Sequence, residues 1–149
     1  MRQTELIELT VLCLLQDGDK ILLQNRVKAD WHGYALPGGH IEPGESIVDA
    51  VVREMQEETG LTVTRPVLAG VKQFPIVGGR YLVFLFRGEE WTGELHSSEE
   101  GEVAWVKRSC IPSLPTVDDF EELIEVFTSP LLNEFQYVIK DGQWQVHLH

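Results

Sequence analysis

The sequence predicts an α/β (α+β) fold in which a mixed β-sheet is sandwiched between α-helices. Three observations carry that expectation. Short apolar runs are joined by Asp17-Gly18, Gly78-Gly79 and Asp141-Gly142, which are turn dipeptides suited to hairpins. One strong helical pattern interrupts them near residue 50, and a second, shorter one lies near residue 123. Strands broken by single helices, rather than alternating regularly with them, favour helices packed on the faces of one sheet.

In chain order, "LIELTVLCLL" and "KILLQN" flank Asp17-Gly18 as a first hairpin. A glycine-bearing loop, "DWHGYALPGGH", leads to the strong helix. There Ser46 with Asp49 forms a capping pair, Ile47, Val48, Val51, Val52 and Met55 form an apolar arc, and Gly60 fits the end. "VLAGVKQFPIV" and "RYLVFLFRG" form a second hairpin about Gly78-Gly79. "GELHSSEEGE" is a polar loop and "EVAWVK" a short strand. In "TVDDFEELIEVF" over Thr116–Phe127, Phe120, Leu123, Ile124 and Phe127 fall at helical spacing. "EFQYVIKDGQWQVHL" reads as a last hairpin.

The totals restrict function. A chain of 149 residues suits a single domain over residues 1–149. A formal net charge of −12 argues against a nucleic-acid polymer or an anionic membrane as partner. If the substrate is phosphorylated, a bound cation must reverse the local sign. Cys13 and Cys110, two in all, make no disulfide framework and suggest a reducing compartment. The apolar run "YLVFLF" is too short to span a bilayer, and "MRQTELIELT" lacks the apolar core of a signal peptide. The expectation is a cytoplasmic protein, monomer or homodimer.

The strong helix poses the chemical question. Glu54, Glu57 and Glu58 fall within about 100° of one another beside the apolar arc. Like charges so placed cost roughly 0.2–0.5 kcal/mol per pair. A solvated acidic face is one reading. Three anions converging beside a glycine-rich loop also suit a hard cation such as Mg2+ or Mn2+. Arg53, four residues before Glu57, can steady the edge of that cluster.

Gly39, five residues, Glu45, seven residues, then Arg53-Glu54-Met55-Gln56-Glu57-Glu58-Thr59-Gly60-Leu61 matches the Nudix box at its fixed positions. On these residues the chain resembles Nudix hydrolases of MutT type, and the resemblance extends from the first hairpin to the last. It implies the Nudix fold and Mg2+- or Mn2+-dependent hydrolysis of a nucleoside diphosphate linked to another group. It implies Glu54, Glu57 and Glu58 as metal ligands with the Gly38 carbonyl, Arg53 holding a glutamate, and Glu45 bracing the loop. It implies Glu54 as proton acceptor for the attacking water, although some members draw that base from another loop.

The resemblance also implies a late-loop carboxylate in "SSEEGEVAW". Spacing from Trp105 favours Glu99, with Glu100 next and Glu102 also available. His40 stands where related enzymes often carry lysine, so fixed positive charge toward the polyphosphate is lost. "IPSLPTVDDFEEL" resembles the segment of oxidised-purine triphosphatases in which two adjacent aspartates face the base. Asp118 and Asp119 are thus candidates to accept from a guanine edge, or else anions at a helix N-terminus. Trp31, His32, Phe74 and Tyr81 can stack on a base or fill the core. The expected substrate is an oxidised purine triphosphate such as 8-oxo-dGTP, cleaved to monophosphate and pyrophosphate. The alternatives are ADP-ribose or a similar derivative, which Pro75 favours slightly, and an inert nucleotide-sensing module, which the intact Arg53 and glutamate set disfavours.

Overall fold

A computed structural model describes residues 1–28 and 31–149, with side-chain surroundings left out for residues 28–32. Its strands are β1 (Leu6–Asp17), β2 (Lys20–Lys28), β3 (Trp31–Ala35), β4 (Gly38–His40), β5 (Thr62–Thr64), β6 (Val67–Ile76), β7 (Gly79–Gly88), β8 (Glu90–Thr92), β9 (Gly101–Lys107), β10 (Glu134–Lys140) and β11 (Gln143–Leu148). Helix α1 covers Ile47–Thr59, α2 covers Phe120–Thr128, and a 3-10 segment covers Arg108–Ser113. The sheet runs β11-β10-β6-β7-β1-β2-β3, with β4 also on β1 and β9 also on β2; β5 and β8 form a separate ribbon.

Strand alternation builds the two faces of this mixed sheet. On β1, Val11, Cys13 and Leu15 point to the α1 side with Ala50, Val51 and Met55. Leu14 points the other way, toward Leu123, Ile124 and Phe127 of α2. On β2, Leu22 joins the α1 core while Ile21 and Leu23 join the α2 core. Helices therefore cover both faces, as the apolar patterns predict. Cys13 is buried, Cys110 exposed, and both are free thiols.

The first hairpin is only a corner. β1 pairs with β2 at Gln16↔Ile21 and Asp17↔Lys20. The body of β1 instead runs parallel to β7 from Leu6↔Gly79 to Leu15↔Gly88 and antiparallel to β4 at residues 10–12. Turn chemistry fixes the corner, but burial on both faces places the rest of β1 in mid-sheet. The second and third hairpins form where expected, β6–β7 and β10–β11. In the last one Asp141 and Gly142 take φ of 53° and 76°, the left-handed pair that a two-residue hairpin turn favours.

Two segments differ from the sequence reading. The glycine-bearing loop contains β3, paired with β2, and β4, paired with β1. The second helix begins at Phe120 rather than Thr116, because Asp119 before it is left-handed at φ 56°. Among the described residues no helix is long and apolar enough to cross a membrane.

Candidate active site

The loop-to-helix segment meets β1 at two glycines. A Cβ at Gly38 would stand 2.1 Å from the Val11 carbonyl oxygen, so only glycine lets β4 lie on β1. A Cβ at Gly39 would stand 2.3 Å from Glu54 Oε2, so the Glu54 carboxylate occupies the space a side chain would take. Ser46 caps α1 by accepting from the Asp49 N–H at 3.2 Å, and Gly60 ends it at φ 80°.

Arg53 holds this segment together. It donates to both oxygens of Glu45 (Nε to Oε2 2.7 Å, Nη2 to Oε1 2.9 Å), to Glu54 Oε1 at 2.9 Å and to Glu57 Oε2 at 3.2 Å. Nη2 also reaches the His40 carbonyl at 2.9 Å. A planar guanidinium with five N–H groups suits such a fork. Arg53 holds Glu45 down at about 2, helped by the Glu42 N–H. Glu45 therefore braces the loop. Glu54 is nearly buried, and that burial raises its pKa; Arg53 opposes the rise, while Glu57 and Glu58 add to it.

Glu58 is fixed from other elements. Its Oε2 accepts from Gln24 Nε2 of β2 at 2.5 Å and from Ser98 Oγ of the late loop at 3.1 Å. Glu57 is more exposed and faces the same opening. Among the described residues, no three His, Cys, Asp or Glu side chains are drawn together as a finished metal-holding group. Glu54 and Glu57 instead share Arg53, and Glu58 leans on Gln24 and Ser98. The fit to a divalent cation lies in the chemistry of the donors: the hard oxygens of Glu54, Glu57 and Glu58, which line the same cleft as Gly38.

These residues form one end of a cleft of about 820 Å3. Its wall continues through Arg26 and His40 to Lys72, Phe74 and Tyr81, and ends near Asp118, Tyr137 and Trp144. Phe74 stacks on Tyr81 with ring centroids 4.6 Å apart and planes at 12°. Tyr137 and Trp144 meet Phe74 edge-on. His40 Nε2 lies 2.7 Å from Glu8 Oε1, so the group at the lysine position is tied to an acid.

Glu54, Glu57, Glu58, Gly38 and Phe74 share the cleft, and Arg53 lies behind them. His32, with Trp31, lies outside the residues whose side chains are described. Asp118 lines the cleft, whereas Asp119 turns to Tyr137, whose hydroxyl donates to Oδ2 at 2.6 Å. Asp119 precedes α2 as an anion at its N-terminus, but its side chain makes no capping hydrogen bond there.

In the late loop, Glu100 is half-buried and lines the cleft, whereas Glu99 and Glu102 are exposed and do not. A tight turn explains the placement. The Gly101 N–H donates to the Ser98 carbonyl, and Ser98 Oγ accepts from the Glu100 N–H, which leaves Glu99 at the tip. The register from Trp105 that favours Glu99 is one residue off this geometry.

The sequence reading passes over Gln24, Arg26, Lys72, Tyr137 and Trp144. A period-two pattern was available for one of them: Lys72 and Phe74 sit on the same face of β6.

This arrangement can bind a polyphosphate and move a proton. A divalent cation bound to the carboxylates would neutralise phosphate oxygens and polarise the attacking water. Arg26 adds a cation to the cleft wall, Arg53 fixes Glu54 and Glu57, and Glu54, raised by burial, is suited to accept a proton.

The NUDIX domain family model matches residues 7–127. Over 109 residues the chain is 39% identical to an uncharacterized Nudix hydrolase of Bacillus subtilis, YvcI, covering 69% of this chain and 68% of that protein. It is 32% identical over 118 residues to the human 8-oxo-dGDP phosphatase NUDT18, covering 75% of this chain and 36% of that longer protein. The crystal structure of a mutator MutT protein from Bacillus halodurans superposes with a TM-score of 0.76 at 32% identity, covering 95% and 97% of the two chains.

Proposed function

The chain belongs to the Nudix family and is a Nudix hydrolase of MutT type, and from this we propose that it hydrolyses an oxidised purine nucleoside triphosphate, such as 8-oxo-dGTP, with Mg2+. The products are the monophosphate and pyrophosphate: a water oxygen adds to phosphorus, the bridging P–O bond breaks, and the proton passes to Glu54. The observation that carries this reading is the single cleft that joins the carboxylate wall to the aromatic end. Its volume of about 820 Å3 falls in the range of small-molecule sites and suits a nucleotide laid lengthwise. Phosphates at the Glu54–Glu58 end put the base between Phe74 and the Asp118 region.

In this reading Glu54, Glu57 and Glu58 hold the cation with Gly38, and Glu100 completes that end. Asp118 accepts from the base and Phe74 lines its end of the cleft, while Asp119 stays bonded to the Tyr137 hydroxyl. The similarity to an 8-oxo-dGDP phosphatase supports an oxidised guanine as the base. The experiment is product analysis with Mg2+ over 8-oxo-dGTP, 8-oxo-dGDP, the ordinary triphosphates, ADP-ribose and dinucleoside polyphosphates. The reading expects 8-oxo-dGTP to give the highest kcat/KM. ADP-ribose as the one good substrate would replace it.

A further inference from the structure

The base end of the cleft contains a cation that the proposed reaction has not used. Lys72 projects from β6 with its Nζ 5.0 Å from the centroid of Phe135, 5.3 Å from Tyr137 and 5.8 Å from Phe74. Three ring faces attract an ammonium there and exclude water around it. Burial lowers its pKa to about 8, and Asp119 is the charge that opposes this. Among the described residues the ammonium is engaged by rings and by the field of Asp119, not by a hydrogen bond to oxygen. Lys72 and Asp118 line the same cleft, so a hydrogen-bond donor and an acceptor face one opening.

We propose that Lys72 determines base specificity by selecting purines with a carbonyl at C6 over those with an amino group there. The proposal rests on the reading of the cleft as a nucleotide site. A 6-oxo purine presents a carbonyl acceptor beside an N–H, which matches an ammonium beside a carboxylate. A 6-amino purine presents an N–H2 group to the ammonium, donor against donor, and a bare ring nitrogen to the carboxylate. A site built to hydrogen-bond its substrate rejects an analogue that leaves buried polar groups unpaired far more strongly than an apolar pocket rejects a change of shape. Stacking against an aromatic wall tolerates either base, so the choice falls to Lys72 together with Asp118.

The test compares kcat/KM for 8-oxo-dGTP and 8-oxo-dATP in the wild type, Lys72→Met and Lys72→Gln, with thermal midpoints measured alongside. The methionine keeps the unbranched stem against the rings and removes the donor; the glutamine keeps a neutral donor. The expected result is a fall of about tenfold or more in the guanine-to-adenine ratio for Lys72→Met, carried by KM, and a smaller fall for Lys72→Gln. dITP, which keeps the C6 carbonyl without the 2-amino group, should lose as much as the guanine nucleotide. An unchanged ratio in both variants, with wild type still preferring 8-oxo-dGTP, would overturn the lysine's role and leave the nucleotide reading intact. Wild-type protein that cleaves 8-oxo-dATP as well as 8-oxo-dGTP would overturn the lysine's role alone, and wild-type protein that cleaves neither would overturn the nucleotide reading.

Discussion

The side-chain amide of Gln24, wholly buried on β2, donates to Glu58 Oε2 at 2.5 Å across 34 residues of sequence. Its own Oε1 has no partner among the described residues. The two facts have opposite signs for stability. Losing a donor to a carboxylate costs about 1.5–3 kcal/mol, while removing a buried orphan oxygen relieves about 1–3 kcal/mol. Gln24→Leu should therefore change the melting temperature little. Glu58 would lose its aim, so the Mg2+ concentration for half-maximal rate should rise by about tenfold. A large loss of stability with an unchanged Mg2+ requirement would assign Gln24 to the core alone.

Gly39 makes a second separation of fold from chemistry. A Cβ there would meet the Glu54 carboxylate, the end of a flexible side chain, and not backbone. Gly39→Ala should thus fold near the wild-type midpoint and lose about a hundredfold in kcat, the scale of a 1 Å misplacement of a reacting group. Circular dichroism melts and steady-state rates check this together.

Glu45 predicts an acid signature. Its pKa, held at about 2 by Arg53, lies below the 4.5 of a free side chain. A carboxyl depressed on folding adds stability that is fully present above pH 4.5 and is lost as pH falls through about 2. The melting-temperature gap between wild type and Glu45→Gln should be widest near pH 6 and narrow steadily toward pH 2. A gap that stays constant would mean that Arg53 does not hold Glu45 in solution.

The late loop offers a one-residue test. Glu100 lines the cleft and Glu99 does not, so Glu100→Gln should slow turnover by at least about tenfold and Glu99→Gln by less than about twofold. The reverse order would restore the register counted from Trp105.

What the sequence reveals and what it hides divide by range. The helix α1 was legible because its cap at Ser46, its end at Gly60 and its 3.6-residue pattern are all local. The acidic wall and Arg53 came with it, since their spacing is that of the helix itself. Glu58's donors were not legible: Gln24 and Ser98 are 34 and 40 residues away, and nothing in either segment marks them as partners. The parallel pairing of β1 with β7 has no turn dipeptide to announce it, whereas Asp17-Gly18 announced a hairpin that proves only two residue pairs long. Asp119 could be placed at a helix N-terminus from sequence, but its left-handed backbone and its bond to Tyr137, 18 residues on, carry no local signal. Glu99 and Glu100 differ by a single position in a turn, a distinction that counting from Trp105 does not resolve.

The proposed Mg2+-dependent hydrolysis of an oxidised purine triphosphate is run by the carboxylates of α1. The most direct measurement is a 31P spectrum of 8-oxo-dGTP turned over with Mg2+ by wild type and by Glu57→Gln, beside an EDTA control. Glu57 is exposed and bonded to Arg53 at 3.2 Å, so its amide variant should fold normally. Pyrophosphate and the monophosphate are expected from wild type, none with EDTA, and almost none from Glu57→Gln at limiting Mg2+. Full turnover by Glu57→Gln at limiting Mg2+, or turnover in EDTA, would contradict the proposal.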